Sequence, residues 1–160
     1  MVILGIDPGT AICGYGVVEK VNYKFNLVDY GVVNTPCGMP LEDRLVRIYD
    51  GITALIKKYK PEEMAVEELF FNNNAKTALS VGHARGVVLL AGAHCHVPIY
   101  EYTPLQVKQG IVGYGRADKK QVQFMVKTIL NMKEIPKPDD AADALAIAMC
   151  HGQSNKQMMV

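Results

Sequence analysis

A short apolar run that ends in an acid and a proline constrains this chain more than any other feature of its sequence. Val2 to Ile6 form a wholly apolar run, which is typical of a strand buried on both faces in the middle of a sheet. Pro8 restricts the preceding Asp7 to extended geometry, and the turn at Gly9 lets other groups approach closely. The sequence therefore predicts a carboxylate at the end of a central strand, well placed to hold a metal ion. An ordinary turn-forming role for Asp7 is the alternative.

The composition is that of one globular domain. The chain has 160 residues, of which 49% are hydrophobic and 21% charged. A chain of this length can bury a stable core without disulfides or structural metals. We predict a single domain over residues 1–150 and a short C-terminal tail over residues 151–160. The net charge is only +1, so any surface for nucleic acid has to be local. The four cysteines show no paired spacing, and the chain has neither an apolar run of membrane length nor a signal-peptide pattern. We therefore predict a cytoplasmic protein.

Hydrophobic periodicity predicts an α/β domain with a five-stranded mixed sheet and helices on both faces. Strands are expected over Val2–Asp7, Cys13–Val21, Tyr23–Thr35, Met64–Phe71 and Val97–Tyr102. Helices are expected over Leu41–Lys60, Ala75–His96, Leu105–Val112, Ala117–Met132 and Asp139–Cys150. Thr103 followed by proline predicts a capped start for the third helix, and the glycines around Tyr114 predict a flexible link after it.

Further acids lie in apolar surroundings. Glu67 and Glu68 fall inside an apolar strand, where a charge is costly unless it is paired or binds metal. Adjacent strand residues point to opposite faces, so the two glutamates are separated; two solvated side chains at a strand edge are the alternative. Asp140 and Asp143 are three residues apart and share one face of the last helix. Helix capping explains Asp139 as the N-cap and favours Asp140, but it explains Asp143 poorly.

These acids predict a site for divalent metal ions. Oxygen ligands without His or Cys match Mg²⁺ or Mn²⁺. Ions bound between Asp7, Glu67 and the helix pair would remove the repulsion between the carboxylates. Two such ions roughly 3.5–4 Å apart clamp the attacking and leaving oxygens of a phosphodiester. The triplet His94-Cys95-His96 lacks a second ligand cluster, so zinc is not predicted.

Several segments resemble the RuvC family of bacterial Holliday junction resolvases, in order, at the family's spacing and over essentially the whole chain. They are LGIDPGT, GYGVV, AVEELF, ARGV, EYTPLQVKQGIVGYGRADKKQVQ and DAADALAIA. The resemblance implies a ribonuclease-H-like fold and a metal-dependent endonuclease that cuts four-way DNA junctions by paired symmetric nicks in recombination and repair. It also implies a homodimer, and a junction branch-migration helicase complex as a partner.

The resemblance also implies roles for particular residues. Asp7, Glu67, Asp140 and Asp143 are expected to be catalytic and to hold two Mg²⁺ ions, for which Mn²⁺ can substitute. Hydrolysis by water would then give 5′-phosphate and 3′-hydroxyl ends without a covalent enzyme intermediate. Lys119 matches a basic residue near the scissile phosphate and is expected to be catalytic. Asp139 does not fall on a catalytic position.

A basic segment is expected to grip the DNA backbone. Leu105–Lys133 contains six basic residues and one acid, a net charge of +5 in a chain whose total is +1. The predicted DNA-binding residues of this segment are Lys108, Arg116, Lys119 and Lys120. The link at residues 113–115 would make the segment a mobile clamp on the DNA backbone. A solvated basic face is the alternative. Phe70 matches an aromatic suited to stacking on a base, with Phe71 as competitor and a core position as the alternative for either. The small-residue helix Ala75–Ala93 is the candidate dimer interface; packing within one subunit is the alternative.

Three other functions remain open on the sequence alone. A sugar-kinase or actin-like ATPase shares the D-x-G-T turn, but such proteins place the nucleotide between two domains and this chain predicts one. A non-catalytic junction-binding module leaves the four acids without a role. A ribonuclease-H-type nuclease would act on RNA–DNA hybrids instead of junctions.

Overall fold

The computed structural model describes residues 1–68 and 75–154. Phe70 and Phe71, with the assignments made for them, lie outside these ranges. The strands are β1 (Val2–Asp7), β2 (Ile12–Val21), β3 (Lys24–Asn34), β4 (Glu63–Glu67) and β5 (Ile99–Tyr102). The helices are α1 (Leu41–Tyr59), α2 (Ala75–His94), α3 (Pro104–Val112), α4 (Lys119–Ile129) and α5 (Asp139–Ser154). Within these ranges no helix has the length and apolarity that crossing a membrane requires.

One mixed sheet contains all five of these strands, in the order β3-β2-β1-β4-β5. The first three form an antiparallel meander, while β4 and β5 run parallel to β1. The strand that opens the chain therefore lies at the centre of the sheet, as its apolar sequence predicts. Its carboxyl end and that of β4 lie at the same edge of the sheet.

Strand alternation sorts the side chains of β1 and β4 between two cores. The even-numbered residues pack against α1 and α2 in one core, for example Leu4 and Ile6 with Ile52. The odd-numbered residues face α5 in the other core, which contains Ile3 and Ala65. Asp7 and Glu67 continue these odd-numbered series, so alternation aims both of them at the α5 side.

Three glycines let α5 lie directly on the sheet. An added Cβ at Gly5 would lie 2.1 Å from the carbonyl oxygen of Ala144, and one at Gly14 would lie 2.1 Å from that of Asp140. At Gly16 the added atom would lie 2.8 Å from the amide nitrogen of Leu145. These contacts are to the helix backbone, which cannot rotate away as a flexible side chain can. The absence of side chains at these positions therefore sets how close the first turns of α5 come to Asp7.

Some element boundaries differ from the predictions. The last helix continues four residues beyond Cys150 to Ser154, because His151 is fully buried and bonds to Glu63 and Tyr102. The sequence offered only a polar residue there, and the partners come from distant strands. The link at residues 113–115 contains a turn, in which Gly113 caps α3 and the amide of Ala117 donates to the carbonyl of Tyr114 at 3.4 Å; the predicted flexibility of this link stays a prediction.

Candidate active site

Asp7 and Glu67 lie side by side at the carboxyl edge of the sheet. In the parallel register Ile6 is level with Val66, so the next residue of each strand is level too. On its other side Asp7 pairs with Gly14 of β2, which has no side chain to occupy the space above the strand ends. The backbone pairing therefore fixes the separation of the two carboxylates from both sides.

The electrostatics of Asp7 show how closely the acids are grouped. Burial raises the pKa of Asp7 to about 9, and a hydrogen bond with Glu67 and the negative charges of Glu67, Asp143 and Asp140 add to the effect. A hydrogen bond between two carboxyl groups requires a proton on one of them, so bringing Asp7 and Glu67 together opposes the loss of both protons. Four acids from β1, β4 and α5 thus share one electrostatic environment.

The third and fourth acids come from the first turns of α5. Asp140 and Asp143 are both half-buried and project from the same face of the helix towards the strand ends. Burial raises the pKa of Asp143; the positive charge of Lys119 opposes the shift and Glu67 reinforces it. Asp143 lies more than a full turn inside α5, between two alanines, where helix capping does not explain an acid. Its neighbours across the site, Lys119 and Glu67, explain it.

The donor set fits a hard divalent cation. The four grouped side chains offer only carboxylate oxygens, the ligands that Mg²⁺ and Mn²⁺ prefer. Burial first, and then the neighbouring carboxylates, raise the pKa of Asp7, and a cation between the acids would offset both effects. Within residues 1–68 and 75–154, no group of three or more His, Cys, Asp or Glu side chains is already drawn together in metal-binding geometry.

Lys119 brings a positive charge to the edge of the acid group. Its Nζ lies 3.5 Å from Oδ2 of Asp143 and 3.4 Å from Oδ2 of Asp139. Partial burial lowers the pKa of Lys119, but the charges of Asp143 and Asp139 outweigh this and raise it overall. Asp118 fixes the backbone position of this lysine, since its side chain accepts the Gln121 amide at the start of α4.

A cavity opens beside these acids. Its volume is about 240 Å³, and Glu67, Asp143, Lys108 and Lys119 supply its charged lining. Apolar side chains of α3, α4 and α5 form the remaining wall. The space therefore combines acids, where cations would bind, with two lysines that suit a phosphate group.

Comparison with known proteins decides the family. Residues 3–151 match the family model of the crossover junction endodeoxyribonuclease RuvC. This chain belongs to the RuvC family. It is 60% identical to the RuvC of Desulforamulus reducens over 96% of this chain and 94% of that protein. The RuvC of Clostridioides difficile is also 60% identical, over 98% of this chain and 92% of its own length.

A solved RuvC structure confirms the predicted fold. Thermus thermophilus RuvC in complex with a Holliday junction substrate superposes with a TM-score of 0.94 and 42% identity, covering 99% of this chain and 96% of that one. The expected ribonuclease-H-like arrangement of a five-stranded mixed sheet with helices on both faces is therefore correct. The family and its enzyme class, predicted from the sequence motifs, are confirmed as well.

The predicted site residues of this RuvC-family chain fall into three groups. The structure brings together Asp7, Glu67, Asp140, Asp143, Lys119 and Lys108 around the acids and the cavity. Arg116 and Lys120 are exposed beside the start of α4 and do not line that cavity. Phe70 lies outside the described residues. Catalytic and binding roles for all of them remain predictions.

Asp139 does not have the capping role predicted for it. The helix already includes Asp139, and the carbonyl of Pro138 accepts the amides of Ala141 and Ala142, so Pro138 holds the cap position. The Asp139 side chain instead pairs with Lys119 and accepts a hydrogen bond of 3.1 Å from Nε2 of Gln123. The i, i+4 spacing of Lys119 and Gln123 on α4 was the sequence signal for a shared partner.

The turn after Asp7 has supports that the sequence did not reveal. The hydroxyl groups of Thr10 and Ser80 are 2.8 Å apart, which ties the turn to α2. The hydroxyl of Thr35 donates to the carbonyl of Thr10 at 2.7 Å, which ties the turn to the end of β3. These contacts hold the chain immediately beyond the end of β1 from two directions. Residues this far apart in sequence carry no local pattern that links them.

Proposed function

We propose that this chain is a metal-dependent endonuclease that resolves four-way DNA junctions by paired symmetric nicks, in recombination and repair. Membership of the RuvC family supports the reaction class, and one observation carries the assignment to this site. Four carboxylates from three separate elements meet at one sheet edge, next to a cavity whose charged lining includes two lysines. Packing alone does not favour such a group, because the charges repel and burial is costly.

Asp7, Glu67, Asp140 and Asp143 are the proposed ligands of two Mg²⁺ ions, for which Mn²⁺ can substitute. The all-oxygen donor set and the strongly raised pKa of Asp7 support this assignment. Bound there, divalent ions supply the Lewis acidity that phosphodiester hydrolysis requires. The rigid strand ends and the glycine-lined seat of α5 keep the four side chains in place without an ordering cost at the moment of reaction.

The lysines are proposed to hold the scissile phosphate. Lys108 and Lys119 line the cavity from two helices, so a phosphate in the cavity would meet positive charge from both. The acids beside Lys119 raise its pKa, which keeps it protonated and able to donate to a phosphate oxygen. The products proposed are a 5′-phosphate and a 3′-hydroxyl end. Arg116 and Lys120, both exposed, are proposed to contact the backbone further along.

A homodimer is proposed because resolution needs two nicks in strands related by two-fold symmetry, and one chain carries one acid group. The exposed face of α2 supports this arrangement. Leu79 and Leu90 are 65% and 48% exposed, and an added Cβ at Gly86 between them would meet nothing within 4 Å. This face therefore joins two large apolar side chains and an open position where a second helix can approach closely. A branch-migration helicase complex is the proposed further partner. The proposed location is the cytoplasm, with which the four free thiols accord.

Cleavage of a mobile four-way DNA junction in Mg²⁺ tests the proposal. The wild type should give paired symmetric nicks, whereas Asp7→Asn and Glu67→Gln should bind the junction without nicking it. Glu68→Gln is the matched control, since its side chain is exposed and alternation directs it away from Glu67. Junction binding without cleavage by the wild type, in both Mg²⁺ and Mn²⁺, would contradict the endonuclease assignment. Cleavage of RNA–DNA hybrids in preference to junctions would contradict the substrate.

The oligomeric state tests the proposed interface separately. Leu90→Glu should shift sedimentation from dimer to monomer, because it places a charge on the apolar face of α2. Leu41→Glu changes a comparably exposed leucine (42%) at the start of α1 and should leave the dimer intact. A monomeric wild type, or a dimeric Leu90→Glu, would move the interface away from α2.

A further inference from the structure

The turn between α3 and α4 presents a tyrosine in a fixed position. Gly113 closes α3 in a left-handed conformation, with its amide donating to the carbonyl of Gln109 at 3.0 Å. The hydrogen bond from the Ala117 amide to the Tyr114 carbonyl closes the turn, and Ala117 itself is buried in the core. Tyr114 therefore projects from a turn that is anchored at both ends, and its side chain is 47% exposed.

The orientation of the Gln121 side chain follows from a backbone donor. The amide N–H of Asp118 donates to Gln121 at 2.8 Å, so the atom that accepts it has to be the oxygen, Oε1. The other atom is then Nε2, which donates to the hydroxyl oxygen of Tyr114 at 2.7 Å. One glutamine thus completes the capping box of α4 and fixes the Tyr114 hydroxyl.

This bond determines what the Tyr114 hydroxyl can still do. A phenol offers one proton and also accepts hydrogen bonds. Since the oxygen accepts from Gln121, its own proton remains available for an acceptor outside the turn. The exposed phenol thus acts as an oriented donor that can bond to an acceptor on a ligand in place of water.

The surrounding charges specify an anionic acceptor. Arg116 in the same turn and Lys120 in the first turn of α4 are both exposed. Asp118 is the acid nearest in sequence, and its carboxylate accepts the Gln121 amide at 2.8 Å at the helix start. An oriented neutral donor in the same turn as Arg116, with Lys120 at the start of the next helix, matches the oxygens of a phosphate group.

We infer that Tyr114 and Arg116 form a phosphate clamp, which binds the DNA backbone on the flank of α4 opposite Lys119. The inference rests on the proposed function and extends it. Lys119 and Gln121 are two residues apart, about 200° around the helix, so the clamp contacts a phosphate other than the one beside Lys119. Together, the clamp and Lys119 position the DNA strand at two phosphates near the start of α4. Because the clamp contacts a phosphate, it carries no base specificity of its own.

Junction binding at several salt concentrations tests the clamp, with the full chain and without divalent metal so that the DNA stays intact. Tyr114→Phe removes only the hydroxyl and should weaken binding roughly 3- to 10-fold at every salt concentration. Arg116→Gln removes a charge, so its slope of log K against log salt should be shallower by about 0.9. The two variants are therefore distinguished by the salt dependence of binding: Tyr114→Phe lowers the affinity without changing the slope, whereas Arg116→Gln changes the slope.

Tyr23→Phe is the matched control. Tyr23 is 80% exposed and, with Asn131, lines a different surface groove near the opposite end of α4. This variant should bind the junction like the wild type. Tyr114→Phe binding within twofold of the wild type, or an equal loss in Tyr23→Phe, would overturn the clamp.

Gln121→Glu tests the orientation of the hydroxyl. The glutamate can still accept the Asp118 amide, but its second oxygen would accept the Tyr114 proton and withdraw it from DNA. The substitution should therefore weaken binding more in the wild type than in Tyr114→Phe, where only its added charge acts. Equal losses in the two backgrounds would overturn the orientation argument. If the wild type itself does not bind junctions, the proposed function fails, and this result is distinct from a failure of the clamp alone.

Discussion

The two faces of the central strands differ in what they place against the sheet. On one face Leu4 and Ile6 meet the aliphatic residues of α1 and α2, such as Ile52. On the other, Gly5 and its neighbouring glycines admit the backbone of α5, and the strand ends carry acids. Adjacent residues of one strand thus belong to two environments, one built of large side chains and the other of close backbone contact.

The difference shows how one strand separates stability from chemistry. Large buried side chains contribute free energy in proportion to the apolar area that they remove from water. Glycines contribute little of this, but they set the height of α5 above the sheet and hence the position of Asp140 and Asp143 relative to Asp7. We therefore expect substitutions on the two faces to affect different measurements.

The largest effect is expected for Gly14→Ala. The added Cβ would lie 2.1 Å from the Asp140 carbonyl oxygen, so α5 has to move away from the strand ends. Junction cleavage should fall more than about 100-fold, beyond what loss of an outer-shell partner typically costs. Gly51→Ala in α1 is the control, because the atoms nearest to its Cβ would be side-chain atoms of Val33, the closest a methyl group at 2.9 Å, and not helix backbone. Equal cleavage by both variants would remove the distinction between the faces.

Ile52→Ala should show the opposite behaviour. This α1 side chain is fully buried against the sheet, and its truncation should lower the free energy of unfolding by about 2–5 kcal/mol. Cleavage per folded molecule should stay near the wild-type value at a temperature where the variant remains folded. Denaturant unfolding and cleavage kinetics measure the two quantities. A large loss of cleavage in the folded variant would show that the two faces are coupled.

Divalent metal should stabilise the protein through the acid face. At a Mg²⁺ or Mn²⁺ concentration of 100 times the dissociation constant, the gain is about 2.7 kcal/mol, visible as a higher melting temperature. Asp7→Asn should lose this gain, and without metal it should melt no lower than the wild type, because it removes a buried acid. Asp50→Asn, an exposed acid on α1, should keep the full shift. An undiminished shift in Asp7→Asn would place metal binding elsewhere.

The smallest effect is expected for Asp139→Asn. The Lys119 and Asp139 side chains are 54% and 65% exposed, and ion pairs this open contribute about 0–1 kcal/mol. Cleavage should change less than about threefold, because Asp143 still holds the lysine at 3.5 Å. Asp143→Asn is the variant to compare with it, and its cleavage activity should fall more than about 100-fold. If Asp139→Asn were equally inactive, Asp139 would belong among the proposed metal ligands.

Local patterns predicted the elements and part of the site. Thr103 and Pro104 begin α3 as expected, and the spacing of Asp140 and Asp143 places them on one helix face. Residue types alone left Glu67 and Glu68 open, and family motifs selected Glu67. The register of β4 with β1 then directs Glu67 towards Asp7, which agrees with that choice.

Other features depend on contacts between distant residues, which sequence periodicity does not encode. Asp139 was predicted to be a cap, but it pairs with Lys119 from another helix. The helix α5 continues past Cys150 because Glu63 and Tyr102 bond to a buried His151. The orientation of Tyr114 likewise depends on a glutamine seven residues away that also caps a helix.

The sequence by itself determined the order of the elements, the central strand, the acids available and the family. These follow from side-chain periodicity, turn chemistry and motif spacing, all of which act within a few residues. Only the tertiary structure decided how near α5 lies to β1, which charge faces which acid and where the cavity opens. These depend on strand register and on the backbone contact of α5 with Gly5, Gly14 and Gly16, and both arise only when distant segments pack together.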